Sequence, residues 1–349
     1  VPPPLDGAWA PIDTSLDHVE LFELPSGKGP EDVCVDLEGR LIAGGDDGRI
    51  WRWTERHEGQ DSAGRDSAGQ DSAGQDSAGQ DRAGRDSAGQ GAGEPELIAE
   101  TGGRPLGIEV DPRDGTLIVC DAYRGLLRIT DNGIEDLANT AAGTPIFFCN
   151  NAAISRDGTV YFTDSSSRYP LSAWKRDLLE HRPNGRLLSY HDGQVDVIAT
   201  GLYFPNGVAL TPQEDALLLV EDSTHRLLRI DLATGGETQE LLDLPAYPDN
   251  MSSAGDGTYW IALPSPRLPI MEKLLPYPSI RRIAALLPES LQPQPLKYGL
   301  VAQVDGEGTI LRTLHGPAGR YTMITGVRQQ GSALWLGSLT ERSVARVML

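Results

Sequence analysis

Short apolar runs separated by turn residues recur along this chain in one phase. Around the middle they read Phe204-Pro205-Asn206-Gly207-Val208-Ala209-Leu210, a turn, Leu217-Leu218-Leu219-Val220, a second turn, and Leu227-Leu228-Arg229-Ile230. Runs this short, broken by Asn-Gly and Asp-Gly pairs, predict strands joined by tight turns. Asn206 is the odd member, because Asn is depleted in strands. At the head of a strand it marks a turn or a ligand.

The same strand–turn–strand–turn–strand unit opens at Gly29-Pro30-Glu31-Asp32, Gly103-Arg104-Pro105-Leu106, Cys149-Asn150-Asn151, Tyr247-Pro248-Asp249-Asn250 and Ile324-Thr325-Gly326. Six copies predict an all-β fold, a six-bladed β-propeller of four-stranded antiparallel blades filling residues 1–349 as one domain. The last unit lacks an outer strand, and residues 18–24 alternate like a spare one. Pairing the two closes the ring and removes an exposed edge.

Three insertions interrupt the period. Residues 58–94 hold a low-complexity tract with six copies of a pentapeptide, such as Gln70-Asp71-Ser72-Ala73-Gly74. It has no apolar periodicity to offset its ordering entropy and is expected to be disordered. Its Asp-Ser-Ala-Gly strings lack a fixed base or oxyanion hole, so they are not serine nucleophiles. It follows a third strand and is expected to leave from the face opposite the first-strand entrances. Residues 167–185 include Tyr169, Trp174, Lys175 and Arg176 and predict a short helix. Residues 264–298 are Pro-rich and apolar, with a helix-like stretch over 280–287. These two lie between second and third strands, on the face where first strands begin. They are expected to act as lids or pocket walls, and Leu268, Ile270, Met271 and Leu274 suggest a partly apolar small-molecule substrate.

Charge and cysteine content narrow the possibilities. A net charge of −20 over 349 residues argues against a surface that tracks nucleic-acid phosphates. Three cysteines, Cys34, Cys120 and Cys149, sit in apolar strand patterns and are expected to be buried free thiols. No apolar run approaches the ~18 residues of a membrane span. The chain opens Val1-Pro2-Pro3-Pro4 without an initiator Met, which is compatible with loss of an upstream leader. The compartment stays open between cytoplasm and periplasm or secretion.

Aligning the six units on their first turn brings Glu31, Leu106, Asn150, Asn206, Asp249 and Thr325 into register. First strands line a propeller's axis, so these side chains converge. Four buried carboxylates and carboxamides left unpaired would be costly. A hard cation with oxygen ligands resolves that cost, and two carboxylates would balance Ca²⁺. The absence of His and Cys at these positions argues against zinc. One Ca²⁺ at the axis is expected, with another divalent metal as the alternative.

Taken together, Gly29-Pro30-Glu31-Asp32, Tyr161-Phe162-Thr163-Asp164-Ser165-Ser166, Gly185-Arg186-Leu187-Leu188, the 204–210 stretch, 244–250 and Leu336-Gly337-Ser338-Leu339 resemble the strictosidine-synthase-like branch of six-bladed propellers. That branch is related to gluconolactonases (the senescence-marker-protein group) and paraoxonases. The resemblance covers roughly residues 17–349 outside the pentapeptide tract. It implies Ca²⁺ at positions matching Glu31, Asn150, Asn206 and Asp249, with Asn250 as a further ligand. It also implies lactone or aryl-ester hydrolysis for many relatives. Two departures matter: Leu106 stands where paraoxonases carry a catalytic His, and Thr325 stands near the catalytic Glu of true strictosidine synthases. The second argues against Pictet–Spengler condensation.

The expected chemistry is therefore metal-assisted hydrolysis with a base activating water. The gluconolactonase-type resemblance implies Asp249 as both ligand and base. His225, in the turn Glu221-Asp222-Ser223-Thr224-His225-Arg226, is the other candidate, although an exposed turn histidine need have no role. His18, His57, His181, His191 and His315 are expected in outer strands or loops and offer no dyad. The competing class is a non-catalytic propeller with structural Ca²⁺, binding a small ligand or a protein on its top face.

Overall fold

The computed structural model describes residues 3–54, 93–284, 286–287 and 294–349. Six four-stranded antiparallel sheets surround one axis. Blade 1 runs Val33–Val35, Leu41–Gly44, Arg49–Trp53 and Glu96–Glu100; blade 2 runs Pro105–Val110, Leu117–Asp121, Gly125–Thr130 and Gly133–Ala138. Blade 3 is Cys149–Ile154, Val160–Asp164, Gly185–His191 and Gln194–Leu202, and blade 4 is Pro205–Leu210, Ala216–Glu221, Arg226–Asp231 and Glu237–Asp243. Blade 5 is Met251–Ser253, Thr258–Ala262, Gly299–Asp305 and Ile310–Gly316. Blade 6 takes three strands from the C-terminal end, Ile324–Gln330, Ala333–Ser338 and Ser343–Met348, and its outer strand, Glu20–Glu23, from the other end. The closing register runs from Glu20 opposite Arg346 to Glu23 opposite Ser343.

The apolar runs explain this architecture. Side chains alternate across a strand, and each blade is sandwiched between two others, so both faces must be apolar. Leu217 and Leu219 pack against blade 3 beside Leu187 and Ala153. Leu218 and Val220 turn the other way, against Tyr259, Ile261 and Ala302 of blade 5. The same division yields one apolar seam at every blade junction, including the closing one, where Phe22, Trp335 and Val344 meet Val33, Leu41 and Trp53. Cys34, Cys120 and Cys149 are buried free thiols in these seams.

First strands carry a repeated irregularity. In blade 4, Pro205 pairs with Glu221 and Val208 with Leu219, so Asn206 and Gly207 together oppose one residue. Blades 2 and 3 repeat the bulge at Leu106-Gly107 and Asn150-Asn151. A bulge re-aims a side chain, and here it presents the first residue of each pair at the axial entrance. Asn206-Gly207 is thus not a turn. Gly207 is required because a Cβ there would lie 2.2 Å from the Met251 backbone nitrogen of the next blade.

The two top-face insertions form helices. Residues 167–185 contain α1 (Trp174–Glu180), and the blade 5 insertion contains α2 (Pro269–Leu274) and α3 (Pro278–Ala284). A two-residue ribbon, Ala246–Tyr247 with Ser265–Pro266, pins the root of the second insertion to the entrance of blade 5. The pentapeptide tract lies outside the described residues except for its last two. Thr54 and Gly93, on either side of 55–92, are joined by a 2.6 Å backbone hydrogen bond after the third strand of blade 1. Among the described residues, no helix is long and apolar enough to cross a membrane.

Candidate active site

A cavity of about 220 Å³ opens on the face where first strands begin. Glu31, Asn150, Asn206 and Asp249 line it together, as do Leu106 of blade 2 and Met323 of blade 6. Thr325 does not contribute its hydroxyl, which donates to the Glu31 carbonyl at 2.7 Å. Asn250 is not part of the lining. It lies one residue beyond Asp249, at the bulge position that Gly207 fills in blade 4.

Hydrogen bonds orient these amides. Asn150 Nδ2 donates to Ser165 Oγ at 2.9 Å, and Ser165 Oγ donates to the Pro205 carbonyl at 2.7 Å. Asn250 Nδ2 donates to Glu31 Oε2 at 3.1 Å. With the nitrogens so committed, the Oδ1 atoms of Asn150 and Asn250 are buried without a partner, as are those of Asn206 and Asp249. Buried acceptors are normally satisfied, so four such oxygens in one place make a donor set suited to a hard cation. No group of three His, Cys, Asp or Glu side chains is placed to hold a metal among the described residues. The set here instead combines two carboxylates with carboxamides.

The charges agree with that chemistry. Burial, then Asp249, pushes the Glu31 carboxyl well above the usual carboxylate range. Burial, then Asp222, does the same to Asp249, which lies within side-chain hydrogen-bonding reach of Glu31. Two such groups resist joint ionisation unless a cation lies between them. Arg104, buried and hydrogen-bonded to the Gly29 carbonyl at 2.7 Å, opposes the effect on Glu31 only in part.

Above this floor the walls are mostly apolar. Leu106, Phe148 and Phe204 form one cluster with Leu171, Trp174 and Leu178 from the α1 insertion. Phe148 and Phe204 meet edge to face at 5.3 Å. Phe204 adopts φ +53°, a conformation costly for a bulky residue. The lid supplies Leu268, Met271 and Leu275. Of the four lid residues named from sequence, Leu268 and Met271 face the cavity, whereas Leu274 is absent from the lining and Ile270 is 52% exposed.

One wall is polar. Asp222, Ser223 and His225, in the turn after the second strand of blade 4, line the cavity with His181 and Tyr247. His225 is only 3% exposed, which corrects the expectation of an exposed turn residue: the blade 5 insertion and Tyr247, 4.7 Å away ring to ring, cover it. Burial, then Arg267, pulls its imidazole down to about 3, so it is neutral at pH 7 with Nε2 unpartnered. His181 lies in a loop as expected, but at the cavity. It ends α1 in a left-handed conformation and turns onto the cavity. His315 does lie in an outer strand, bonded to Tyr298 and Thr313.

Asp222 escaped the sequence reading. Its backbone N–H donates to the Phe204 carbonyl; the corresponding bonds run from Ala122 to Arg104, Ser165 to Phe148, and Leu339 to Met323. Asp222 alone is charged among these four positions, and that contrast was the available signal. Burial, then Asp177, pushes its carboxyl up to about 7, and Oδ1 has no partner.

The six-bladed fold around this cavity is that of the gluconolactonase-type propellers. A solved gluconolactonase from Xanthomonas campestris superposes over 95% of this chain and 90% of its own, with a TM-score of 0.59 at 16% identity. The chain belongs to the strictosidine synthase-like family. The family model for strictosidine synthase matches residues 150–233, and that for the strictosidine synthase-like N-terminal region matches residues 7–53. The Arabidopsis thaliana protein strictosidine synthase-like 6 is 35% identical over 73% of this chain and 69% of its own length. The adipocyte plasma membrane-associated protein of Rattus norvegicus is 34% identical over 71% of each.

Proposed function

We propose that this protein is a calcium-dependent hydrolase of a lactone or carboxylic (aryl) ester. The observation that carries the reading is the cavity floor, where unpartnered oxygens of Asn150, Asn206 and Asp249 stand beside Glu31 beneath apolar walls. Glu31, Asn150, Asn206 and Asp249 would hold the ion, with Asn250 Oδ1, buried and unpartnered, as a further candidate. When bound there, Ca²⁺ supplies polarisation of the substrate carbonyl and stabilisation of the developing oxyanion.

The protein's own groups do the rest. The aromatic and aliphatic walls hold an apolar acyl or leaving group and exclude bulk water. Asp249 and His225 are the proton acceptors named from sequence. Asp222 joins them: it lines the cavity, its Oδ1 has no partner, and its acidity lies near neutrality, where a general base works best. The neutral His225 lines the same space, and its Nε2 is buried without a hydrogen-bond partner.

The test is a lactone and aryl-ester panel run on purified protein, on chelated protein reloaded with Ca²⁺, and on Asp249→Asn. Turnover that is lost with chelator, restored by Ca²⁺ and lost in Asp249→Asn supports the hydrolase. Ca²⁺ binding with no turnover above background assigns the protein to the non-catalytic, ligand-binding class.

A further inference from the structure

We infer that the cavity-bearing face of the propeller docks on an anionic lipid surface, with the outward side of α3 and the exposed Ile270, Tyr277 and Leu296 as the contact. This goes beyond the proposed hydrolysis and does not depend on it.

The first observation is an inverted helix. In α3 the residue turned inward is Arg281, 6% exposed, whose Nη1 donates to the carbonyls of Leu179 at 2.9 Å and Glu180 at 3.1 Å. It thereby satisfies the C-terminal end of α1. The residues turned outward are Ile280 and Ile283, 47% and 63% exposed, and Leu286 continues the row at 78%. A surface helix ordinarily does the reverse. The inward side of α3 is already committed to Arg281, so packing gives no reason for isoleucine outside.

The second observation is where exposed apolar residues collect. Fifteen large hydrophobic side chains are exposed among the described residues, and seven fall within 270–296. Two more share that face by topology: Tyr123 in the second-to-third-strand turn of blade 2, and Phe147 just before the first strand of blade 3. Clustering of this kind marks an interaction surface.

Charge selects the partner. The two top-face insertions, 167–185 and 264–298, carry nine Lys and Arg against four Asp and Glu, in a chain of net charge −20; of the nine, Arg281 is buried and Arg267 is paired with Asp243 and Glu272, which leaves seven for the surface. Lys273, Arg282 and Lys297 are exposed among the apolar side chains. Apolar side chains interleaved with cations suit the boundary between acyl chains and anionic headgroups. The remaining surface is more acidic than the whole chain and is repelled by that surface, so only the lid-first orientation is favoured.

The experiment is flotation of the full chain with vesicles of phosphatidylcholine alone or phosphatidylcholine mixed with phosphatidylserine. Wild type should float with the anionic vesicles, less so as salt rises, and not with phosphatidylcholine alone. Ile280→Glu/Ile283→Glu should weaken flotation by roughly tenfold or more, and Lys273→Glu/Arg282→Glu should weaken it at low salt. Leu97→Glu, on an outer strand, should leave it unchanged. Because these side chains are exposed, melting temperature and near-ultraviolet circular dichroism should match wild type. Three results would overturn the inference: no wild-type flotation, flotation indifferent to the Ile280 and Ile283 changes, or a wild-type oligomer that the isoleucine variant dissociates without any vesicle binding.

Discussion

Asn250 Nδ2 donates to Glu31 Oε2 at 3.1 Å across 219 positions of sequence. The bond ties the entrance of blade 5 to that of blade 1 and leaves Asn250 Oδ1 buried without a partner. Asn250→Ala removes the donor and should destabilise the protein by about 1–3 kcal/mol, the cost of an unsatisfied buried acceptor. Asn250→Asp adds a third carboxylate instead. It should destabilise metal-free protein more than Asn250→Ala does, and recover more on addition of Ca²⁺. Melting curves of both variants with and without Ca²⁺ measure this, and equal responses would contradict it.

Chelation should lower the melting temperature of wild type. Glu31 is held well above the usual carboxylate range by burial and Asp249, and Asp249 by burial and Asp222, so a cation between them relieves a native-state cost. At a free concentration a hundredfold above Kd, binding adds about 2.7 kcal/mol of stability. Calorimetry with and without chelator, beside elemental analysis, checks it. An unchanged transition in protein that holds no Ca²⁺ would remove the metal from the account.

Asp222 predicts a pH effect with a definite sign. Its carboxyl rises from the ordinary value near 3.8 to about 7 in the fold, so the native state binds the proton more tightly than the unfolded chain. Its stability contribution is complete below about pH 4 and is lost as pH rises through about 7. In chelated protein, Asp222→Asn should therefore gain melting temperature over wild type progressively from about pH 5 to 7 and level off above that. A constant difference across that range would show that the carboxyl is not held protonated. In the hydrolase reading, the same variant should lower kcat/KM by about 100-fold or more, as expected on loss of a general base.

Gly207→Ala should be strongly destabilising although it adds one methyl group. Its Cβ would approach the Met251 nitrogen to 2.2 Å and the Asn250 carbonyl carbon to 2.6 Å, and neither backbone can move without displacing the entrance of blade 5. A loss of about 3 kcal/mol, or failure to accumulate folded protein, is expected. Gly306→Ala, where φ is not positive and a Cβ meets nothing within 4 Å, is the control for adding a methyl group in open space. A Gly207→Ala protein as stable as wild type would mean that the blades do not meet as described.

Much of this was legible because a propeller writes its geometry periodically. Leu217-Leu218-Leu219-Val220 is apolar on both faces because both faces are seams, and the phase that repeats it also placed Asn206 beside Asn150. The parts that escaped lie off the period. His225 passed for an exposed turn residue because its cover comes from the blade 5 insertion, far away in sequence. His181 was hidden at the end of α1, where only the direction in which the helix leaves the blade turns it to the cavity. Gly207 passed for half of a turn because a close approach between neighbouring strands leaves no local mark. Asp222 stood beside His225 in plain view. Its role depends on what it lacks, a partner, and that is a property of the assembled walls.

The pairing of Glu20–Glu23 with Ser343–Met348 also has a consequence in time. The outer strand of blade 6 leaves the ribosome before every other strand of the ring, and its partner after all of them. Every blade from the first to the fifth can form its own sheet during synthesis, but the ring stays open until the final strand emerges. Through that interval Val33 and Leu41 lack the Trp335 and Val344 that cover them, and Phe22 has no sheet to join. Loss of the last strand should therefore leave an assembled but unclosed arc with a sticky edge, and such a chain should fail by aggregation.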